Sequence, residues 1–142
     1  MTGPKVVLDT NVLVAAIRSN RGASFKLISL VGTGKFEIAV SVPLVLEYED
    51  ALLRNLEETN LNEDDIRNLI DYVCSVAHVQ EIFFLWRPFL RDPNDDMVLE
   101  VAVAAGCEAI VTHNHKDFTE IGQFKLKTLS PQQLLKRIGE FP

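Results

Sequence analysis

Apolar residues recur along this chain in two rhythms, short β-branched runs and longer stretches spaced by threes and fours. The first run, Lys5-Val6-Val7-Leu8, reads as a buried strand, and residues 12–17 behind it as a helix. Ser24 stands as N-cap for a helix over residues 25–31, closed by Gly32 and Gly34. Residues 36–40 read as a second strand. Pro43 then opens a helix to about residue 56, since proline is well tolerated in a first turn. Asn62 caps the next helix, whose first turn carries Glu63, Asp64 and Asp65, where carboxylates favour the helix dipole. Its apolar positions Ile66, Leu69, Ile70, Val73 and Val76 or Ala77 form one buried face. Strands over residues 79–84, 109–112 and 126–129 surround a helix over 95–105 that Gly106 ends, and Ser130-Pro131 starts a last helix.

Strands alternating with helices predict a three-layer α/β/α sandwich around a central, mainly parallel twisted sheet. Ala109-Ile110-Val111 has no polar alternation, as expected of a centre strand buried on both faces. The chain has 142 residues, 47% of them hydrophobic and 24% charged, enough for one domain with a core of its own. No stretch approaches the roughly 18 apolar residues of a membrane helix. The N-terminus runs into the first strand without a basic segment and cleavage site, which predicts a cytoplasmic protein. Cys74 and Cys107 form no CxxC, and both read as buried structural thiols. A net charge of −6 disfavours a protein that holds nucleic acid by bulk electrostatics. It leaves room for an enzyme whose carboxylates carry a cation that meets the phosphate.

In open α/β sheets ligands gather at the carboxyl ends of the strands, so the polar residues delivered there carry the chemistry. Asp9 directly follows the first strand, with Asn11 two residues on; alone, either reads as a cap of the next helix. Glu47 lies on the helix after the second strand, opposite its buried stripe of Val45, Tyr48, Leu52 and Leu56 and alongside Asp50 and Arg54. A surface acid and a cleft acid look alike there. In Asp92-Pro93-Asn94-Asp95-Asp96, continuing to Glu100, the acids exceed what capping requires. Asp96 and Glu100 share a helical face and repel unless something positive sits between them. Thr112-His113-Asn114-His115-Lys116-Asp117 leaves the central strand toward the same edge. Its two histidines have no third partner and no HExxH, and read as loop-exposed. Hard oxygen donors without a Cys/His set suit Mg²⁺ or Mn²⁺ rather than zinc.

These segments in order resemble the PIN-domain family, and within it the toxins of bacterial and archaeal toxin–antitoxin systems. The likeness runs from Val6-Val7-Leu8-Asp9-Thr10-Asn11 through Leu46-Glu47-Tyr48-Glu49-Asp50 and Asp92-Pro93-Asn94-Asp95-Asp96 to Ile110-Val111-Thr112-His113-Asn114-His115-Lys116-Asp117-Phe118. The resemblance implies one PIN-like domain over residues 1–142 and a metal-dependent ribonuclease cutting single-stranded RNA. It implies Asp9, Glu47, Asp96 and Asp117 as catalytic metal ligands for Mg²⁺ or Mn²⁺, with Thr10, Asn11, Thr112 and Asn114 orienting them. Two positions stay open. Asp95 can replace Asp96 if the helix register turns it inward, and many relatives carry their fourth acid where Asn114 stands rather than at Asp117. Arg18, Arg21, Lys26 and Lys116 are the candidate phosphate contacts. A homodimer and a cognate antitoxin are the implied partners. The alternatives are a haloacid-dehalogenase-like phosphatase, which normally has an acid where Asn11 stands, and a degenerate PIN domain that only binds.

Overall fold

The computed structural model describes residues 3–82, 92–119, 121 and 125–140. In chain order the elements are β1 (Lys5–Leu8), α1 (Thr10–Arg18), α2 (Ala23–Ser29), β2 (Glu37–Val40), α3 (Val42–Arg54), α4 (Glu63–Val76) and β3 (His78–Val79). They continue with α5 (Pro93–Ala104), β4 (Ala109–Val111), β5 (Lys127–Leu129) and α6 (Pro131–Arg137). The strands form one sheet in the order β3-β2-β1-β4-β5, and every pairing is parallel.

Crossovers between parallel strands are right-handed. The chain steps from β1 outward to β2 and β3, then returns past β1 to β4 and β5. That reversal makes the β1/β4 boundary the switch point of the sheet. The β1–β4 register pairs Leu8 with Val111, so the next residues, Asp9 and Thr112, emerge side by side.

Val6, Val7, Ala109, Ile110 and Val111 are fully buried, as unbroken apolar strands require when helices cover both faces. Leu44, Tyr48, Ala51 and Leu52 form the inward stripe of α3. The Tyr48 hydroxyl donates to the carbonyl of Leu8 at 2.5 Å, tying α3 to the end of β1 beside Asp9. Asn62 and Asp65 form a reciprocal capping box at the start of α4, and Ser130 with Gln133 forms another at α6.

Some expected boundaries and burials differ. α2 starts at Ala23 behind Gly22, so Ser24 lies inside the first turn, and its hydroxyl meets His113 Nε2 at 2.7 Å. α5 starts at Pro93 rather than Asp95, because Asp92 takes the N-cap. Cys107 is buried, but Cys74 is exposed. The core-facing stripe of α4 is Ile66, Ile70 and Val73, and Cys74, one step around the helix from Val73, turns outward. Of the strand expected over residues 79–84, β3 begins at His78, and Phe83 and Phe84 lie outside the described residues. No helix among the described residues is long and apolar enough to cross a membrane.

Candidate active site

Asp9 occupies the N-cap position of α1, yet its side chain makes no capping hydrogen bond. Its Oδ2 instead accepts from the Thr112 hydroxyl at 2.8 Å. Thr112 is fully buried, and its oxygen also accepts from Asn11 Nδ2 at 3.3 Å and from the Asn114 amide at 2.9 Å. A hydroxyl has one proton and two lone pairs. With both lone pairs engaged, the Thr112 proton is committed to Asp9. The Asn11 carbonyl oxygen accepts from the His113 amide at 3.3 Å, closing the link between α1 and the turn after β4. Thr112 thus holds Asp9, and Asn11 is bonded to Thr112 behind it.

The acids before α5 separate in the same way. Asp92 caps the helix, accepting from the Asn94 amide at 2.9 Å. The need that could have explained Asp95 and Asp96 is therefore already met. Helix register then divides them. Asp95 lines a cleft together with Asp9, Glu47, Asp92 and Asp117, whereas Asp96, also buried, is not among the lining residues. Asn114 lines this cleft beside Asp117, so both candidates for the fourth position reach it. Glu47 comes from α3 with its side chain only 15% exposed, which identifies the apparent surface acid as a cleft acid.

The cleft has a volume of about 380 Å³ and sits where β1 and β4 end. Its carboxylates feel one another. Burial raises the Asp9 carboxyl above its ordinary value, the Thr112 and Thr10 hydrogen bonds oppose this, and the charges of Asp117 and Asp92 add to the rise. Burial pushes Asp95 up to about 7, and the charges of Asp9, Asp117, Asp92 and Asp96 add to that rise. Two cations, Arg18 and Arg54, face five carboxylates across the lining. Arg54 contacts Glu47 at 3.5 Å and Asp50 at 2.8 Å, a cation at the cleft to which its spacing along α3 alone gives no role. The other expected phosphate contacts, Arg21, Lys26 and Lys116, do not line the cleft.

This donor set fits a divalent cation in its chemistry. The oxygens are hard, the negative charge exceeds the positive, and Asp9 is held in a fixed orientation. As the side chains stand, no three His, Cys, Asp or Glu among the described residues are arranged to hold one ion. Mutual repulsion is a physical reason for carboxylates to stay apart without a cation between them. A larger groove of about 790 Å³ runs beside the cleft and shares Arg18 with it. Glu57 and Glu58 are the acids in its lining, whereas five carboxylates line the smaller cleft.

Residues 5–116 match the PIN domain family. The structure of "VapBC2 from Rickettsia felis bound to a DNA fragment from their promoter" shares the fold with a TM-score of 0.54 at 16% identity. That match covers 89% of this chain and 98% of the other. No curated protein matches the sequence.

Proposed function

This chain belongs to the PIN-domain family, and from that premise we propose that it is a metal-dependent ribonuclease cutting single-stranded RNA. In this reading it is the cytoplasmic toxin of a type II toxin–antitoxin pair. The observation that carries the enzymatic reading is the side chain of Asp9. It stands at a helix start without capping it, fixed by Thr112, in a cleft shared with Glu47, Asp95 and Asp117.

Asp9, Asp95, Asp117 and Glu47 would hold Mg²⁺ or Mn²⁺. Asp95 takes the place that the resemblance assigned to Asp96, because it is Asp95 that lines the cleft. When bound, the ion supplies Lewis acidity toward the phosphodiester and the attacking water. The protein's part is positioning. Thr112, itself bonded to Asn11, holds Asp9, and Asp92 caps α5, leaving Asp95 to the cleft. A carboxylate oxygen in the cleft would receive the proton released by water as its oxygen joins phosphorus, and the departing oxygen would take a proton from solvent to leave as the alcohol. Asn11, where a haloacid-dehalogenase-like phosphatase has an acid, is an amide bonded to Thr112, so the general acid of that chemistry is missing from its position. The likeness to VapBC2 supports a cognate antitoxin, and a homodimer accompanies it in this proposal.

The experiment is cleavage of a labelled single-stranded RNA by purified protein with Mn²⁺ or Mg²⁺. Activity should vanish with EDTA and in Asp9→Asn, with the circular dichroism spectrum unchanged. Cleavage that survives both would sink the proposal, and a protein that binds Mn²⁺ but never cuts RNA would be a binding module instead.

A further inference from the structure

The cleft poses an electrostatic problem for its own substrate. RNA is a polyanion, the chain carries a net charge of −6, and five carboxylates line the cleft. A cation bound among them answers for the scissile phosphate only. The flanking phosphates need positive groups of their own.

Among the lining residues the cations are Arg18, at the C-terminal end of α1, and Arg54, at the C-terminal end of α3. Both are held by carboxylates on the protein. Arg18 Nη2 meets Glu58 at 2.5 Å, and Arg54 reaches back along its helix to Asp50 at 2.8 Å and Glu47 at 3.5 Å. The side chains of Arg18, Arg54, Asp50 and Glu58 are each at least half exposed. Exposed pairs of this kind contribute little to stability, so giving them up costs little. A guanidinium matches a phosphate in planar, bidentate geometry as well as it matches a carboxylate. The Arg54–Glu47 contact also brings the Arg54 guanidinium beside the carboxylate cluster itself.

We propose that Arg54, with Arg18 farther along, binds the RNA phosphates flanking the scissile one, exchanging protein carboxylates for phosphate oxygens as the strand enters. The assignment rests on the ribonuclease reading and adds the path of the strand, which leaves the carboxylates along the C-terminal halves of α1 and α3. Arg18 lines both the cleft and the adjoining groove, so the path continues past it.

The test uses the cleavage-deficient Asp9→Asn protein, a fluorescein-labelled single-stranded oligouridylate and fluorescence anisotropy in Mg²⁺ over a series of KCl concentrations. Added Arg54→Ala should weaken binding roughly ten-fold and lower the slope of log affinity against log salt by about 0.7, the value for one single-strand phosphate contact. Arg54→Lys should keep the slope and recover part of the affinity. Arg18→Ala should behave like Arg54→Ala, and all three should unfold in urea at the parent midpoint. An unchanged affinity in Arg54→Ala overturns the assignment, as does a loss of affinity with an unchanged slope. If the parent binds no RNA at any salt and the wild type cuts none, the ribonuclease reading falls and takes the assignment with it. RNA cleaved and bound normally by the arginine variants refutes the assignment alone.

Discussion

Replacing Asp95 by asparagine should make the metal-free protein more stable, because the wild type confines a carboxylate where burial and four other acids disfavour its charge. The folded Asp95 carboxyl titrates at about 7 against an ordinary 3.8. Between those values the folded state holds its proton more tightly than the unfolded state, so stability falls as pH rises through the interval. The contribution is intact below about pH 4 and fully lost above about pH 7. At about 1.4 kcal/mol per pH unit, the whole gap corresponds to about 4 kcal/mol. Asp95 faces an open cleft, where water and counter-ions screen it, and a realistic value is about 2 kcal/mol. Urea unfolding in EDTA should show Asp95→Asn exceeding the wild type by about that much at pH 8, and by under about 1 kcal/mol at pH 5. His113, lowered by burial and by His115, contributes in the opposite sense and favours stability as pH rises; comparison of the two proteins at each pH cancels it. With Mn²⁺ the order should reverse. A ligand at 100 times its Kd adds about 2.7 kcal/mol to a protein that binds it, and Asp95→Asn should lose most of that gain. A gain independent of pH, or a variant no more stable than the wild type at pH 8, would refute the electrostatic reasoning.

Other outcomes follow from the same geometry. Asp95→Asn should lower RNA cleavage by at least about a hundred-fold while Asp96→Asn retains more activity, the comparison being made in single-turnover assays. Thr112→Val keeps the shape and removes the proton held by Asp9 and the acceptor used by Asn11 and the Asn114 amide; urea titration should show a loss of about 1–3 kcal/mol, and the Mn²⁺ affinity read by calorimetry should fall. Asn62→Ala removes the α4 capping box and should cost about 1 kcal/mol of stability, with cleavage of RNA unchanged because α4 does not line the cleft.

Much of this protein is legible one segment at a time. The alternation of β-branched runs with helical spacing is a local property, and so are the caps at Asn62 and Ser130, because a cap involves residues three apart. Asp9, Glu47 and Asp117 could be named as candidates because the chain sets acids at the ends of α/β units and the pattern resembles a known family. The same local reasoning misplaced Ser24 as a cap and Cys74 as buried, since one step around a helix separates core from solvent.

Local patterns specify the elements, their parallel arrangement and a short list of acids, each with an ordinary structural explanation. Only the tertiary structure removed those explanations. Asp9 is released from capping by a hydroxyl 103 residues away, a contact that exists because β1 and β4 pair in one register. Packing of Val98, Leu99 and Ala102 on the sheet side of α5 leaves Asp95, rather than Asp96, lining the cleft. Arg54 lines the cleft because of where α3 packs, while its ion-pair partners Asp50 and Glu47 sit on its own helix. Spacing along a chain specifies which side chains share a face, but which face meets which is decided by packing the sheet between its helices.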